Sequence, residues 1–294
     1  MAFYIQSARV QRRKKEETVS GWTMVRVHTV PGCEGLELVE GEYVDFRFAR
    51  HAHPHFSIGV NSRGAQRFSH RGRETIVRRG ELILLNPDEA HSNEPAENSW
   101  NCVSLCPAPA VLTGLMPELG DSKIRFRFAV VRDSHFAVRI IDLLSRYAGR
   151  ASALKLQQHY LSLIADIFHR YGSRRLTARF SAPIEKARER LADSPEANIS
   201  LSELADEAGT SPTTLLRSFT KAVGCTPHTY QTARRVHRSR QLLRDGSSIV
   251  EAALLCGFAD QSHFTRVFKR WTGATPARYC AEAHRTRGVE SRAF

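Results

Sequence analysis

Four histidines in the N-terminal half carry side chains that could bind a ligand directly: His51, His53, His55 and His91. The first three alternate with other residues, so on an extended strand their imidazoles would share one face, because side chains repeat every two residues. Imidazole nitrogens bind transition metals, and a metal site is therefore one hypothesis. The alternative is that these histidines are satisfied within the fold and hold no metal.

Two stretches of the C-terminal half carry side chains that suit DNA recognition. In each, apolar residues repeat at helical spacing on one face, and polar groups occupy the opposite face. Hydroxyl, guanidinium and ammonium groups can hydrogen-bond base edges and neutralise phosphates. These polar residues are Thr213, Arg217, Ser218 and Lys221 in the first stretch, and Ser262, Thr265, Arg266 and Lys269 in the second.

The elements that must position these side chains form one unit that occurs twice. Ser200 with Glu203 and Ser248 with Glu251 each predict a capping box that opens a short helix. A glycine then predicts a tight turn, and a second helix follows in each copy. The matching residues are Gly209, Phe219, Gly224, Pro227 and Tyr230 in the first copy, and Gly257, Phe268, Gly273, Pro276 and Tyr279 in the second.

The connection between the two copies is predicted to be a single helix. It starts at Thr226 and Pro227 and runs to about Arg244, before Gly246. At 1.5 Å per residue this helix spans roughly 27 Å. With packing offsets added, the second helices of the two units could lie near the ~34 Å that separates successive major-groove turns. One chain is therefore predicted to read two groove segments.

The second copy resembles the signature of AraC/XylS-type transcription regulators. The resemblance covers residues 183–283 and rests on the stretch GFADQSHFTRVFKR at 257–270, followed by Gly273, Pro276 and Tyr279. It implies a domain that binds double-stranded DNA and a regulator that contacts RNA polymerase. The base-facing positions that it implies are Thr213, Leu216 and Arg217 in the first unit, and Gln261, Ser262, Thr265 and Arg266 in the second. Lys221 and Lys269, from the polar helix faces, complete the predicted DNA-binding residues.

The region from Met24 to about Arg132 is predicted to be an antiparallel β-barrel or sandwich. Short runs rich in Val, Ile, Phe and Leu, such as 56–60 and 82–85, alternate there with turn residues. Three glycines separate the runs, namely Gly64, Gly72 and Gly80.

The histidine-rich stretch and the segment 80–91 resemble the cupin-like effector domain of the same regulators. A barrel mouth is a usual place for a small ligand, and the candidate effector-binding residues are His51, His53, Arg67 and His91. The metal-binding cupin pattern carries a glutamate where this chain has Ser57. We therefore expect a small-molecule effector and neither a metal nor another cofactor.

Two amphipathic helices are predicted to follow the β region, at 134–147 and Ala153–Tyr171. They could cover the barrel, and the resemblance implies that they also hold a homodimer. The chain is thus an α+β protein with a cupin-like β-barrel domain and an all-α domain of two helix-turn-helix units. The predicted parts are a mobile extension at 1–23, an effector-binding and dimerisation domain at 24–172, a linker at 173–182, the DNA-binding domain at 183–283 and a tail at 284–294. Met24 is an alternative biological start.

Composition adds little to the DNA-binding prediction but bears on the compartment. The net charge is +13, yet residues 181–294 hold 17 Lys+Arg against 12 Asp+Glu, so the excess does not mark the DNA-binding half. The six cysteines show neither CxxC nor zinc-finger spacing, which is typical of reduced thiols. No apolar run approaches the ~18 residues of a membrane span. We expect a cytoplasmic protein without a membrane partner.

These patterns favour a transcription regulator, commonly an activator in the resembled family, whose effector selects one arrangement of the DNA-binding domains. One alternative is a metal-dependent cupin enzyme fused to a DNA-binding module, which depends on a bound metal. Another is a DNA binder that needs no effector. The chain contains no P-loop, GxSxG, HExxH or dinucleotide fingerprint, so we expect no catalytic residues.

Overall fold

The computed structural model describes residues 23–29, 36–116, 124–148, 152–174 and 180–281. The predictions for residues 1–22, for most of the linker and for the tail lie outside these ranges. Among the described residues, none of the helices combines the length and hydropathy needed to cross a bilayer.

The N-terminal half is an antiparallel β domain, as the sequence predicted. Its strands are β1 (Thr23–Thr29), β2 (Glu37–Val44), β3 (Phe48–His51), β4 (Ser57–His70), β5 (Arg73–Val77), β6 (Glu81–Leu85), β7 (His91–Leu105), β8 (Ile124–Phe126), β9 (Val130–Arg132) and β10 (Gly172–Arg174). The first seven and β9 form one sheet in the order β1-β2-β7-β4-β6-β9, with β3 paired to β7 and β5 to β4. β10 pairs with β8, so the expected linker begins as a short strand.

The two longest strands, β4 and β7, organise this sheet by changing neighbours along their length. The first half of β4 pairs with β6 and the second half with β5, and irregularities in the β4–β7 register separate the halves. Gly64 lies at this irregularity with a φ of +69°. The prediction that Gly64 separates two strands was wrong, because a bulge within one strand can use the same left-handed backbone as a turn.

Three helices accompany the sheet: α1 (Pro109–Leu115), α2 (Ser134–Ala148) and α3 (Ala153–Tyr171). The bounds predicted for α3 are confirmed, and α2 extends one residue beyond its prediction. Ile140, Ile164 and Ile167 are fully buried against the sheet, so the inner faces of α2 and α3 complete the main core of the β domain. The Tyr160 hydroxyl donates a hydrogen bond of 2.7 Å to the Glu37 carbonyl and ties α3 to β2.

The C-terminal half is all helical and contains the predicted unit twice. Its helices are α4 (Ala182–Asp193), α5 (Leu201–Glu207), α6 (Pro212–Val223), α7 (Pro227–Arg244), α8 (Ile249–Leu255) and α9 (Gln261–Thr272), and residues 276–281 are also helical. Both capping boxes are present, at Ser200 and Ser248. Gly209 and Gly257 have φ values of +70° and +73°, which confirms the predicted turns.

The connecting helix α7 joins the two units and anchors both. It starts at the Thr226 cap and ends at Arg244, as predicted. The Arg235 guanidinium donates to the carbonyls of Pro195 at 2.7 Å and Gly257 at 2.8 Å. One side chain therefore holds the loop after α4 and the turn of the second unit in fixed positions.

The second helix of each unit ends against the β domain. α6 stops at Gly224 and α9 at Gly273, each in the left-handed region. The Gly224 carbonyl accepts a hydrogen bond of 2.5 Å from Nε of Arg50, and the Gly273 carbonyl accepts one from the Thr23 hydroxyl. A helix leaves its last carbonyls without intrahelical partners, so the β domain supplies donors to both helix ends.

Apolar packing accompanies these hydrogen bonds. Val25, Tyr43 and Trp100 of the β domain share one buried core with Phe268 and Tyr279 of the C-terminal domain. The Tyr43 and Trp100 rings stack with centroids 4.7 Å apart, at the point where this core begins. Removing this surface from water is the main contribution that favours docking of the two domains.

A carboxylate of the loop before β7 pairs with two arginines of the C-terminal domain. Asp88 lies 2.7 Å from Arg188 and 2.6 Å from Arg234. Its own amide donates a hydrogen bond of 2.9 Å to the His53 carbonyl. The pairing therefore also reaches the loop that carries the histidines.

A second carboxylate forms a similar contact further along α7. Glu37 of β2 pairs with Arg240 and Arg244, and all three side chains are largely buried. A buried charge is costly to leave without its partner. Docking of the two domains thus depends on Glu37 as well as on apolar packing.

We predict that Glu37→Gln lowers the free energy of unfolding by about 3–5 kcal/mol, the usual cost of removing one partner of a buried ion pair. Glutamine keeps the shape of the side chain but leaves two buried arginines without their anion. Chemical denaturation measures the change, and amide hydrogen exchange in β1 and α7 shows whether the domains separate.

The matched control is Glu42→Gln, on the same strand. Glu42 forms no ion pair within the described part of the chain, so its substitution should be nearly neutral. If the two variants lose the same stability, Glu37 does not hold the domains together.

Candidate functional site

Two polar helix faces and one cavity are the candidate functional parts of the molecule. α6 buries Leu215, Phe219 and Val223, and α9 buries Phe264 and Phe268. Burial of these apolar stripes turns the opposite face of each helix outward. The faces predicted for DNA contact are therefore presented to solvent.

The predicted DNA-binding residues lie on these outward faces. The exposed ones are Thr213, Leu216, Arg217 and Lys221 on α6, and Gln261, Ser262, Arg266 and Lys269 on α9, while Thr265 is half-buried. Leu216 is 37% exposed, a large apolar side chain without cover. Within the described residues, Arg217, Lys221 and Lys269 form no ion pair. Docking of the β domain leaves both faces open.

Side-chain caps fix where these two helices begin. The Ser211 hydroxyl accepts from the Thr214 amide at 3.3 Å, and the Asp260 carboxylate accepts from the His263 amide at 2.7 Å. This backbone hydrogen bond from His263 is the main cause that lowers the pKa of Asp260. The caps place the first turn of each helix, which carries Thr213 in α6 and Gln261 in α9.

A cavity of about 190 Å³ lies where the interior of the β domain meets α7 and α9. The β domain contributes aromatic, histidine and cysteine side chains, and the C-terminal domain contributes a smaller set of polar and aromatic ones. The C-terminal lining residues are Ala233, Val236, His237, Arg240, Trp271, Thr272 and Tyr279. Any molecule in this cavity would touch both domains.

Histidines dominate one wall of the cavity. The His51 ring lies 4.3 Å from the His91 ring, and the His53 ring lies 4.9 Å from it, measured between centroids. His55 stacks on His53 at 4.3 Å, and His237 of α7 lies 5.8 Å from His55. The structure thus brings the predicted histidines together and adds one from the other domain.

Burial is the main cause that lowers the pKa of the cavity histidines. The pKa values of His53, His55 and His91 lie well below the usual value for histidine, and neighbouring imidazoles add to the effect. The pKa of His237 is lowered to about 3, by burial first and then by the charges of Arg240 and Arg234. These side chains are neutral at physiological pH.

Two expectations about where the histidines and Arg67 lie need correction. β3 ends at His51, so His53 and His55 lie in a loop rather than on a strand face, because Pro54 cannot donate to a strand ladder. The loop nevertheless turns both rings into the cavity. Arg67 does not line the cavity.

Arg67 lies on the second half of β4 and is engaged elsewhere. Its guanidinium pairs with Glu74 at 2.7 Å and with Glu94 at 3.2 Å. The hydrogen bond that Arg67 donates to the Glu74 carboxylate is the main cause that raises the pKa of Arg67. These contacts hold Arg67 on the outside of the cavity wall.

Sequence reasoning missed the cavity residues of the C-terminal domain. Three of them, His237, Arg240 and Trp271, lie on α7 and α9, far in the chain from the histidines. One signal was present, because His237, Arg240 and Arg244 repeat at helical spacing on a helix that already had an apolar face. A second, polar face of that kind indicates a helix with two packing partners.

Two helix-turn-helix units joined to a β domain with an interior cavity define a ligand-binding transcription regulator. Two family models match the chain: a helix-turn-helix domain over residues 204–282 and an AraC-like ligand binding domain over residues 35–164. The matches cover both halves of the structure.

Related proteins support this class, and a solved structure shares the fold. The chain is 30% identical to XylDLEGF operon transcriptional activator 1 of Pseudomonas putida over 70% of its own length and 68% of that protein. It is 28% identical to the uncharacterized HTH-type transcriptional regulator YbfI of Bacillus subtilis, covering 74% and 81% of the two chains. The fold matches unsaturated fatty acid bound ToxT from Vibrio cholerae with a TM-score of 0.54 at 14% identity, over 88% and 94% of the chains. The chain belongs to the AraC/XylS family of helix-turn-helix transcription regulators.

The neutral histidines predict a pH dependence of stability. In the unfolded chain these buried histidines bind protons below the ordinary histidine pKa of about 6.5, whereas in the folded chain they do not. The free energy of unfolding should therefore fall as the pH decreases from about 6.5 towards 5, with His237, whose folded pKa is about 3, contributing across that whole interval.

His237→Gln should reduce the slope of the unfolding free energy against pH, and His159→Gln, which changes an exposed histidine, should not. Denaturant titrations at several pH values in a chelating buffer measure the slopes. Equal slopes for wild type and His237→Gln would show that His237 is not held neutral by the fold.

Proposed function

We propose that this protein activates transcription from DNA sites read by α6 and α9, under the control of a small-molecule effector bound in the cavity. One observation carries the proposal: both domains line the cavity, and the same β domain contacts the C-terminal ends of both helices. An effector that changes the docking of the domains would therefore act on both DNA-reading helices at once.

The proposed DNA contacts rest on the outward faces of α6 and α9. Arg217 and Arg266 are exposed and long enough to reach base edges, for which bidentate guanidinium contacts to guanine are the commonest specific choice. Lys221 and Lys269 are proposed to contact phosphates. The connecting helix α7, with 18 residues, spans roughly 27 Å, which suits two readers on successive major-groove turns.

The effector proposal rests on the two-domain lining of the cavity. A ligand shifts an equilibrium only by its difference in affinity for the two states. The cavity is complete when the domains are docked, so a molecule inside it would bind the docked arrangement more tightly. Its volume of about 190 Å³ and its aromatic and imidazole walls suit a small, largely apolar molecule with a polar group.

Related proteins motivate the remaining parts of the proposal. The Pseudomonas putida relative is named an operon transcriptional activator, and ToxT has been solved with an unsaturated fatty acid bound. For this chain we propose activation, contact with RNA polymerase and a cytoplasmic site of action. Homodimerisation through the outer faces of α2 and α3 is supported by Val138 and Leu154, which are 65% and 73% exposed.

Removing a base-reading arginine should cost specificity. Arg217→Ala and Arg266→Ala are each expected to weaken binding to a cognate site by about 1–3 kcal/mol and to relax base preference locally. Lys269→Ala is the comparison. It is expected to weaken binding to all sequences alike and to lower, by about one, the magnitude of the slope of log binding constant against log salt concentration. Binding titrations on cognate and random duplexes at several salt concentrations separate the two effects.

The arginines would be phosphate contacts instead if their variants lost equal affinity for cognate and random DNA. The two-reader arrangement itself fails if the full protein protects only one groove segment of its site. Genome-wide mapping of bound sites supplies the cognate sequences for both measurements.

The effector proposal is tested by a thermal-shift screen of small metabolites against the full chain. A true effector should raise the melting temperature of wild type and change its affinity for cognate DNA. Ser104→Leu, which fills part of the cavity, should abolish the shift, whereas Ser145→Leu on the exposed side of α2 should keep it. A compound that stabilises Ser104→Leu as strongly as wild type binds elsewhere.

A further inference from the structure

We propose that His51, His53 and His91 form a binding site for a divalent transition-metal ion. One ring nitrogen of each lies within 4.8 Å of one ring nitrogen of each of the others. His91 is buried and the other two are half-buried, all at the wall of the cavity.

The three ring nitrogens are nearly as close to one another as the ligand atoms of one bound ion. Tetrahedral zinc with nitrogen ligands at about 2.0–2.1 Å places those nitrogens about 3.3 Å apart. Binding of an ion would therefore draw the three imidazoles closer together. His53 lies in a loop, and His51 is the last residue of β3, where it pairs with His91 of β7.

Hydrogen bonds orient all three rings for metal binding. Nδ1 of His51 lies 2.7 Å from the Ala49 carbonyl, and Nδ1 of His91 lies 2.9 Å from the Glu89 carbonyl. Nδ1 of His53 lies 3.0 Å from the carbonyl of His55. A carbonyl oxygen only accepts, so each Nδ1 carries the proton and each Nε2 keeps its lone pair. Metal-binding histidines almost always have this outer hydrogen bond.

The donor set selects the kind of ion. Three neutral imidazoles favour Zn²⁺, Co²⁺, Ni²⁺, Cu²⁺ or Fe²⁺ over Mg²⁺ and Ca²⁺, which prefer oxygen ligands. The cavity lining contains Ser57 but no carboxylate. Its one formal cation, Arg240, is paired with Glu37, which limits repulsion of the ion. The remaining coordination positions face the cavity and are free for water or a ligand atom.

The position of the site connects the ion to domain docking. The Trp271 ring of α9 packs edge-on against the His51 ring, with centroids 5.6 Å apart. The His53 carbonyl accepts a hydrogen bond from the Asp88 amide. The Asp88 carboxylate in turn pairs with two arginines of the C-terminal domain. A metal ion that fixes the three imidazoles would therefore order the surface on which the DNA-binding domain rests.

The test is metal binding by the full chain, purified without a histidine tag and stripped with a chelator. Co²⁺ titration should give visible absorption bands of a nitrogen-ligated ion that saturate at one ion per chain, and Zn²⁺ should displace them. Trp100 and Trp271 both line the cavity, so bound Co²⁺ should also quench tryptophan fluorescence.

Three variants make the assignment specific. His91→Gln and His53→Gln should each weaken Co²⁺ binding by at least about 10–100-fold, the range found for milder outer-shell changes. His159→Gln is the matched control, because His159 has the same Nδ1 contact to a carbonyl, at 2.6 Å, but lies exposed on α3. Circular dichroism melting shows whether each variant is folded, and His53, in its loop, remains informative if His91→Gln does not fold.

The proposal is overturned if stripped wild type takes up neither Co²⁺ nor Zn²⁺, or if folded His53→Gln binds as tightly as wild type. Loss of binding in His159→Gln would likewise assign the ion to the surface. A negative result leaves the effector proposal standing, because that proposal depends on the Ser104 and Ser145 variants and not on a metal.

Discussion

The C-terminal ends of α6 and α9 are both held by one β domain, and the rest of the structure depends on this constraint. The carbonyls that close α6 and α9, at Gly224 and Gly273, receive hydrogen bonds from Arg50 and Thr23. Since α7 fixes the spacing between the units, two further contacts at the helix ends fix their orientation relative to the β domain. The faces predicted to contact DNA stay exposed.

Apolar and charged contacts contribute differently to the docking of the two domains. The shared core around Tyr43 and Phe268 supplies most of the free energy, because burial of apolar surface is the dominant favourable term in association. The buried pairs of Glu37 and Asp88 contribute less net stability, since desolvation offsets much of their attraction. They make other arrangements of the two domains unfavourable, because the buried arginines would then lose their carboxylate partners. The docked geometry is therefore specified more sharply than apolar packing alone would specify it.

The cavity exists because of this docking. The interior of the β domain opens towards α7, and His237 and Arg240 close it from the other domain. The His53 carbonyl in the histidine loop accepts a hydrogen bond from the Asp88 amide. The cavity wall and the ion pairs of the interface are therefore directly connected. The cavity lining and the contacts that hold the ends of α6 and α9 therefore belong to one domain interface.

Local chemistry alone determined much of this protein. The sequence was sufficient to predict the capping boxes, the left-handed glycines and the 18-residue helix α7, because each depends on residues within a few positions of one another. The sequence was not sufficient to predict the bulge at Gly64 or the end of β3, since a glycine or proline is compatible with several local geometries. Tertiary structure decided the cavity and removed Arg67 from it. Its lining joins residues some 180 positions apart, such as His55 and His237, and only the packing of two folded domains brings such residues together.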